Sequence, residues 1–164
     1  MKVIEVSQKN FPEVVQEAVM ALRRGRALVC PTDTVYGLIA DAANSKTVKK
    51  IFRIKVREKG KPIPIFVRDI EMAHSLAKIR EEQEVFLEKV WPGKVTVVLE
   101  SKNKLPKELG AEKKIGLRIP KYDFLNLLLE TYGKPLTGTS ANLSGMPSLS
   151  DSTQIIAQFQ NRKH

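Results

Sequence analysis

The octapeptide Pro31-Thr32-Asp33-Thr34-Val35-Tyr36-Gly37-Leu38 gathers two hydroxyls, a carboxylate and a phenol within eight residues. It follows the apolar run Ala27-Leu28-Val29-Cys30 and so stands at a strand end, where an open α/β sheet usually meets its ligand. The same residues also suit a polar turn in which Asp33 and the threonines only satisfy backbone N–H groups. A second group is cationic, Lys55-Val56-Arg57-Glu58-Lys59-Gly60-Lys61-Pro62. On an extended segment Lys55, Arg57 and Lys59 point the same way and would line one side of a cleft. Arginine forks suit phosphate oxygens, and lysine supplies a point charge. Arg118 interrupts the apolar stretch Gly116-Leu117-Arg118-Ile119-Pro120. A charge in that setting is either paired in a salt bridge or faces a ligand, because burying it alone is costly. Finally, Thr137-Gly138-Thr139-Ser140-Ala141-Asn142-Leu143-Ser144-Gly145 makes a backbone-rich cradle of small and polar residues.

Several chemistries are excluded by what these groups lack. Ser140 is not in a Gly-x-Ser-x-Gly elbow, and the only histidines are His74 and His164, so serine-hydrolase chemistry has no base. There is no Gly-x4-Gly-Lys-Ser/Thr phosphate loop, no Gly-x-Gly-x-x-Gly fingerprint and no His/Cys cluster, so no protein-held metal is expected. The single cysteine, Cys30, reads as a buried thiol rather than a nucleophile. The formal charge is +10, and nine cations between Lys46 and Arg68 face one acid, Glu58. Such a focus attracts nucleotide phosphates or RNA, although a solvated helix face has the same composition. Only Phe52 and Phe66 flank it, so base stacking is not advertised.

Alternating periodicities supply the elements that must position these groups. Strands are expected at Val3–Val6, Ala27–Cys30, Leu38–Ala40, Ile63–Val67, Val95–Leu99, Ile115–Ile119 and Leu136–Thr139. Pro64 places the fourth of these at a sheet edge or a strand start. The spacing of Phe11, Val14, Val15, Ala18, Val19 and Leu22 predicts a helix capped at Asn10 and ended by Gly25. Ser45 would cap a helix turning Val48, Ile51 and Phe52 inward and Lys46, Lys49, Lys50 and Arg53 outward. Further helices are expected over Glu71–Ile79, Glu81–Val90, Tyr122–Tyr132 and from near Asp151, with Gly133 as a C′ residue. With 164 residues and 42% hydrophobic composition, the expectation is one α/β domain over 1–164 with a twisted, open mixed sheet. The N-terminus is too short and charged for a signal peptide, and no apolar run approaches the ~18 residues of a membrane span. A soluble, cytoplasmic protein is expected.

Taken in order, Pro-Thr-Asp-Thr-Val-Tyr-Gly-Leu, Lys-x-Arg with Lys-Pro-Ile-Pro, Trp-Pro-Gly-Lys-Val-Thr, Gly-Leu-Arg-Ile-Pro and Thr-Ser-Ala-Asn-Leu-Ser-Gly form a series of five motifs. From about Phe11 to Ser150 the chain resembles the YrdC family, the threonylcarbamoyl-AMP synthases of the single-domain type. The resemblance implies an open α/β sheet with a basic concave surface. It also implies an ATP-dependent nucleotidyltransferase that makes threonylcarbamoyl-adenylate and pyrophosphate from L-threonine, bicarbonate and ATP. That product feeds a tRNA modification through downstream tRNA-modification proteins. By the resemblance, Thr32, Thr34, Tyr36, Arg118 and Ser140 contact threonine, with Arg118 on its carboxylate. Lys55 and Arg57 hold ATP phosphates, Lys61 lies near the carbamate or amino acid, and Lys114, Asn142 and Ser150 contact the nucleotide. Mg²⁺ would arrive on the phosphates. The family's usual Pro-Ser-Thr-Val-like closing strand, and the extra domain of its longer branch, have no counterpart in these residues. The competing expectation is a module that binds tRNA or double-stranded RNA through the same basic cleft.

Overall fold

The computed structural model describes residues 2–58 and 60–159. The first helix, α1 (Phe11–Arg23), carries Pro12 in its first turn, where no intrahelical donor is needed, and ends before Gly25 at φ 68°. Its stripe of Val14, Val15, Val19 and Leu22 is buried. Next come β1 (Leu28–Cys30) and β2 (Gly37–Ile39), paired antiparallel with Cys30 opposite Gly37, so the first six residues of the octapeptide are the loop between them and Gly37 and Leu38 open β2. The helix α2 (Ser45–Lys55) starts at Asn44, whose side chain accepts the Lys46 and Thr47 N–H groups. It buries Val48, Ile51 and Ile54.

The middle of the chain supplies β3 (Ile65–Phe66), α3 (Ile70–Leu76), β4 (Ala77–Lys78), α4 (Glu81–Val90), β5 (Val97–Ser101), β6 (Gly110–Ala111) and β7 (Lys114–Arg118). The last elements are α5 (Asp123–Tyr132), β8 (Leu136–Thr137), β9 (Thr139–Ser140) and α6 (Ser152–Phe159). The larger sheet runs β4-β5-β7-β3-β8 with β6 on β7, and it is mixed because β3 lies parallel to β7. The smaller sheet, β1-β2-β9, is antiparallel.

The chain passes from one sheet to the other at Gly138. A Cβ there would stand 2.8 Å from the Phe66 ring, so only glycine lets the crossing lie against that ring. On either side of it, Thr137 Oγ1 accepts the Ala40 N–H at 2.9 Å and the Gly138 N–H donates to Pro64 O at 2.7 Å. Core residues divide accordingly. Val48, Ile51, Ile65, Leu117, Ala73 and Leu87 fill the space between α2, α3, α4 and one face of the larger sheet. Val15, Leu22, Ile39, Phe66, Leu125 and Leu129 fill the space under α1 and α5.

Four expectations about elements are corrected. Val3–Val6 forms no strand; Val3 is 64% exposed and the segment pairs with no strand among the described residues. The helix expected over Glu71–Ile79 stops at Leu76, because Ala77 and Lys78 pair with Ser101 and Glu100. Of the two places left open for Pro64 the strand start is the one taken, since it directly precedes β3, which is flanked by β7 and β8. The segment Leu136–Thr139 is two short strands in two sheets, and Asn44 rather than Ser45 caps α2. The buried Cys30 thiol is as expected, with burial pushing it up to about 12.

Candidate active site

The octapeptide first organises itself. Thr32 Oγ1 donates to Val35 O at 2.7 Å, accepts the Thr34 N–H at 3.1 Å, and lies 3.0 Å from Thr34 Oγ1. This is the threonine version of a side-chain turn, and it fixes the direction of the residue between the threonines. That residue, Asp33, points to Arg118 at the end of β7 and forms an ion pair with Arg118 Nη2. The second Asp33 oxygen accepts the Lys121 N–H at 3.0 Å. Arg118 is further held by Nε donating to Gly93 O at 2.8 Å and by the Phe66 ring, 5.6 Å from the guanidinium carbon. Of the two readings open for Arg118, the salt bridge is present, and Nη1 donates to no described residue. Sequence reasoning gave Asp33 only a share in satisfying backbone N–H groups. The lone strand arginine was the signal that a carboxylate must be near it.

At the other end of the octapeptide the chain meets the Ser140–Asn142 loop. Gly37 is opposite Ser140 in the β2–β9 pair, and the Ala141 N–H donates to Tyr36 O at 2.7 Å. A Cβ on Gly37 would stand 3.1 Å from the Thr32 methyl and 2.9 Å from Ile39 Cδ1, so the hairpin packs closely against this glycine and a side chain there would displace those two methyls. Lys55 enters the same loop from the end of α2. Its side chain is 1% exposed, and Nζ donates to Ser140 O at 2.5 Å, Asn142 O at 2.7 Å and Asn142 Oδ1 at 3.2 Å. The Lys55 carbonyl accepts the Ser144 N–H at 2.9 Å. Burial, reinforced by the Arg57 charge, lowers the ammonium from 10.5 to about 8. Asn142 spends its remaining amide protons on Leu143 O and Met146 O, and its Oδ1 also accepts the Ser140 hydroxyl. Ser144 Oγ is buried there without a partner among the described residues; it lies in the cradle the sequence marked out but was not among the contacts assigned to a ligand.

The segment after Lys55 is not extended. Val56 is left-handed at φ 51°, its N–H and that of Arg57 closing α2 onto Arg53 O and Phe52 O. The turn therefore separates the cations that alternation would have put on one side. Lys55 goes inward, while Arg57 closes its own loop through Nε to Lys61 O at 3.1 Å and Nη2 to Pro62 O at 2.9 Å. Partial burial lowers the Arg57 guanidinium. Lys61 is exposed and pairs with Glu58 at 2.8 Å, and Lys59 lies outside the described residues. Alternation on β7 puts Lys114, Gly116 and Arg118 on one face, with Lys114 exposed about 13 Å up the strand from Arg118. Ser150 is exposed and outside regular structure. The structure thus joins Thr32, Thr34, Tyr36, Ser140, Asn142 and Lys55 into one knot through the octapeptide and its neighbouring loop. Arg118 is tied in through Asp33, while Lys61, Lys114 and Ser150 stand apart from these bonds. Two hollows on the surface lie toward the opposite end of α2, one bounded by Asp41, Asn44, Lys46 and Lys134, the other by Arg23, Arg24, Lys46 and Lys50.

Chemically, this arrangement offers directed donors and fixed dipoles. No serine or cysteine in the knot has a base beside it: the Ser140 hydroxyl donates to an amide oxygen, and burial keeps the Cys30 thiol protonated. It suits a reaction in which reactants supply both nucleophile and leaving group and the protein supplies position.

The Sua5/YciO/YrdC family, described as "Telomere recombination", matches residues 20–163. A putative threonylcarbamoyl-AMP synthase of Methanocaldococcus jannaschii is 34% identical over 90% of this chain and 70% of its own length. The threonylcarbamoyl-AMP synthase of Bacillus subtilis is 31% identical over 93% of this chain and 45% of its own. Among solved structures, Pyrococcus abyssi Sua5 complexed with L-threonine superposes with a TM-score of 0.86 at 32% identity, over 96% of this chain and 45% of that one. The chain therefore spans about half the length of the last two proteins.

Proposed function

The chain belongs to the Sua5/YciO/YrdC family, and from that membership we propose that it is an L-threonylcarbamoyladenylate synthase, an ATP-dependent nucleotidyltransferase. The threonine amine takes up carbon dioxide from bicarbonate to give a carbamate and water. A carbamate oxygen then attacks the α-phosphorus of ATP, forming threonylcarbamoyl-AMP as the bond to pyrophosphate breaks. The observation that carries this reading is the knot of octapeptide, Lys55 and Ser140–Asn142 loop, in a chain that superposes on a threonine-bound relative.

In this reading Arg118 meets the threonine carboxylate through Nη1, with Thr32, Thr34, Tyr36 and Ser140 shaping the rest of the amino-acid pocket. Arg57 and Lys61 are the mobile cations for the triphosphate, since each trades only a loop carbonyl or a surface ion pair for a phosphate oxygen. Lys55 holds the Ser140–Asn142 cradle against them, and it reaches phosphate only by releasing one of three loop oxygens. Lys114, Asn142 and Ser150 are assigned to the nucleotide. Among the described residues no group of three or more His, Cys, Asp or Glu could hold a metal, so Mg²⁺ enters as part of the MgATP substrate.

The test is pyrophosphate release from ATP. It should require both L-threonine and bicarbonate, and release that ignores the omission of either overturns the proposal. A second reading, contact with tRNA or other RNA, is favoured by one observation. Arg23, Arg24, Lys46 and Lys50 bound a hollow at the far end of α2, and none forms an ion pair with a described residue. No described helix is long and apolar enough to cross a membrane.

A further inference from the structure

Two of the three guanidinium nitrogens of Arg118 are committed, Nε to Gly93 O and Nη2 to Asp33. The Asp33 carboxylate is committed at both oxygens, to Arg118 and to the Lys121 N–H. The two side chains are 9% and 6% exposed, so solvent and salt screen this pair poorly. The octapeptide therefore brings a fixed negative charge against the strand arginine Arg118 and leaves only the Nη1 side without an acceptor among the described residues.

That arrangement bears on a problem of discrimination. A guanidinium fork fits carboxylate and phosphate alike. The proposed reaction brings an amino-acid carboxylate and a triphosphate into one site, so Arg118 alone would not tell them apart. A neighbouring carboxylate does. It leaves the Nη1 protons as directed donors but cancels the net charge that would draw in a polyphosphate. Selectivity of this kind comes from a repulsive group set against the wrong ligand.

We propose that Asp33 is a specificity-determining residue: its carboxylate reserves Arg118 for a single carboxylate, such as that of an α-amino acid, and turns polyphosphate away. The proposal rests on the reading of Arg118 as the amino-acid carboxylate ligand.

Calorimetric titration with L-threonine, alone and in the presence of inorganic tripolyphosphate, tests it on the unaltered protein and on Asp33→Asn. In the unaltered protein tripolyphosphate should leave the threonine Kd within about two-fold, whereas in Asp33→Asn the same concentration should raise it about ten-fold by competition. Asp33→Glu keeps the charge and should resist tripolyphosphate like the unaltered protein, even where its longer side chain weakens threonine binding. That rescue separates the charge from a purely structural role. Equal tripolyphosphate effects in the unaltered protein and Asp33→Asn overturn the assignment. If Asp33→Asn does not fold, the unaltered protein decides, since competition there overturns the proposal and independence supports it. Absence of threonine binding in the unaltered protein is a different failure, which removes the proposed function and this inference with it.

Discussion

The Lys55 ammonium, brought down from 10.5 to about 8 by burial and by Arg57, nevertheless serves three acceptors with its three protons. Its contribution to stability and its hold on the loop therefore respond to pH in opposite directions. Between about 8 and 10.5 the unfolded chain binds this proton more tightly than the folded chain, so the group's share of stability rises with pH across that window. The neutral amine, however, has two donors for three loop oxygens, so the cradle loses one bond above about 8. Pyrophosphate release is expected to fall through a titration near pH 8, without a drop in thermal stability from this group. Lys55→Met removes all three donors, and each buried acceptor left unmade costs about 1–3 kcal/mol, so a loss of roughly 3 kcal/mol is expected by denaturant titration. The residual turnover of that variant should lack the alkaline limb. A limb that survives in Lys55→Met shows that another group sets it.

At the scale of elements, the end of α2 decides where those cations go. Val56 occupies the C′ position of the closing motif in the left-handed region, where glycine is usual, and at 65% exposed its side chain gains little from packing. A β-branched residue there costs about 1–2 kcal/mol, while a glycine costs about 0.5–1 kcal/mol more unfolded-chain entropy. Val56→Gly should therefore raise the thermal midpoint by one or two degrees, roughly 0.5 kcal/mol for a chain of this size. It should also lower turnover, because the angle between Lys55 and Arg57 is no longer fixed. A lower midpoint would show that the valine is unstrained. This turn also marks the limit of what the sequence disclosed. Elements with their own periodicity or caps were legible: α1 from its apolar stripe, α4 from Glu81 to Val90, and α5 with its Gly133 stop. Ala77–Lys78 and Thr139–Ser140 were not legible as separate strands, because they exist only through partners remote in sequence. Gly110–Ala111 was not, because its two residues are held only by the tight return of the chain at Lys114 and Ile115. The site was legible as motifs but not as bonds. Alternation put Lys55 and Arg57 on one side, and the left-handed valine put them on two.

Across the whole molecule the excess charge separates into two populations. The cations near the knot have internal partners, as Lys55 does with loop oxygens and Arg118 with Asp33. Those on the outer face of α2, namely Lys46, Lys49, Lys50 and Arg53, form no ion pair with a described residue, and Arg23 and Arg24 face Lys46 and Lys50 across a hollow. Their spacing of three and four residues puts like charges side by side, at about 0.2–0.5 kcal/mol per pair in an isolated helix. The eleven residues of α2 separate the two ends by about 16 Å. Length alone does not part the two groups, since Arg53 lies in the same last turn as Lys55. Lys55, however, turns inward and is 1% exposed while Lys46, Lys49 and Arg53 are exposed, so a polyanion on the outer face meets other cations and RNA contact and synthesis become separable properties. Replacing Lys46, Lys49, Lys50 and Arg53 together with glutamine should leave pyrophosphate release unchanged and stability equal or slightly higher, since the repulsion is relieved. Affinity for a short duplex RNA should fall, and the slope of log affinity against log salt should shrink by about 0.9 for each phosphate contact removed. If the slope is unchanged while ATP competes the RNA away, the RNA lies in the reaction cleft instead, and the free charges of α2 are a solvated face.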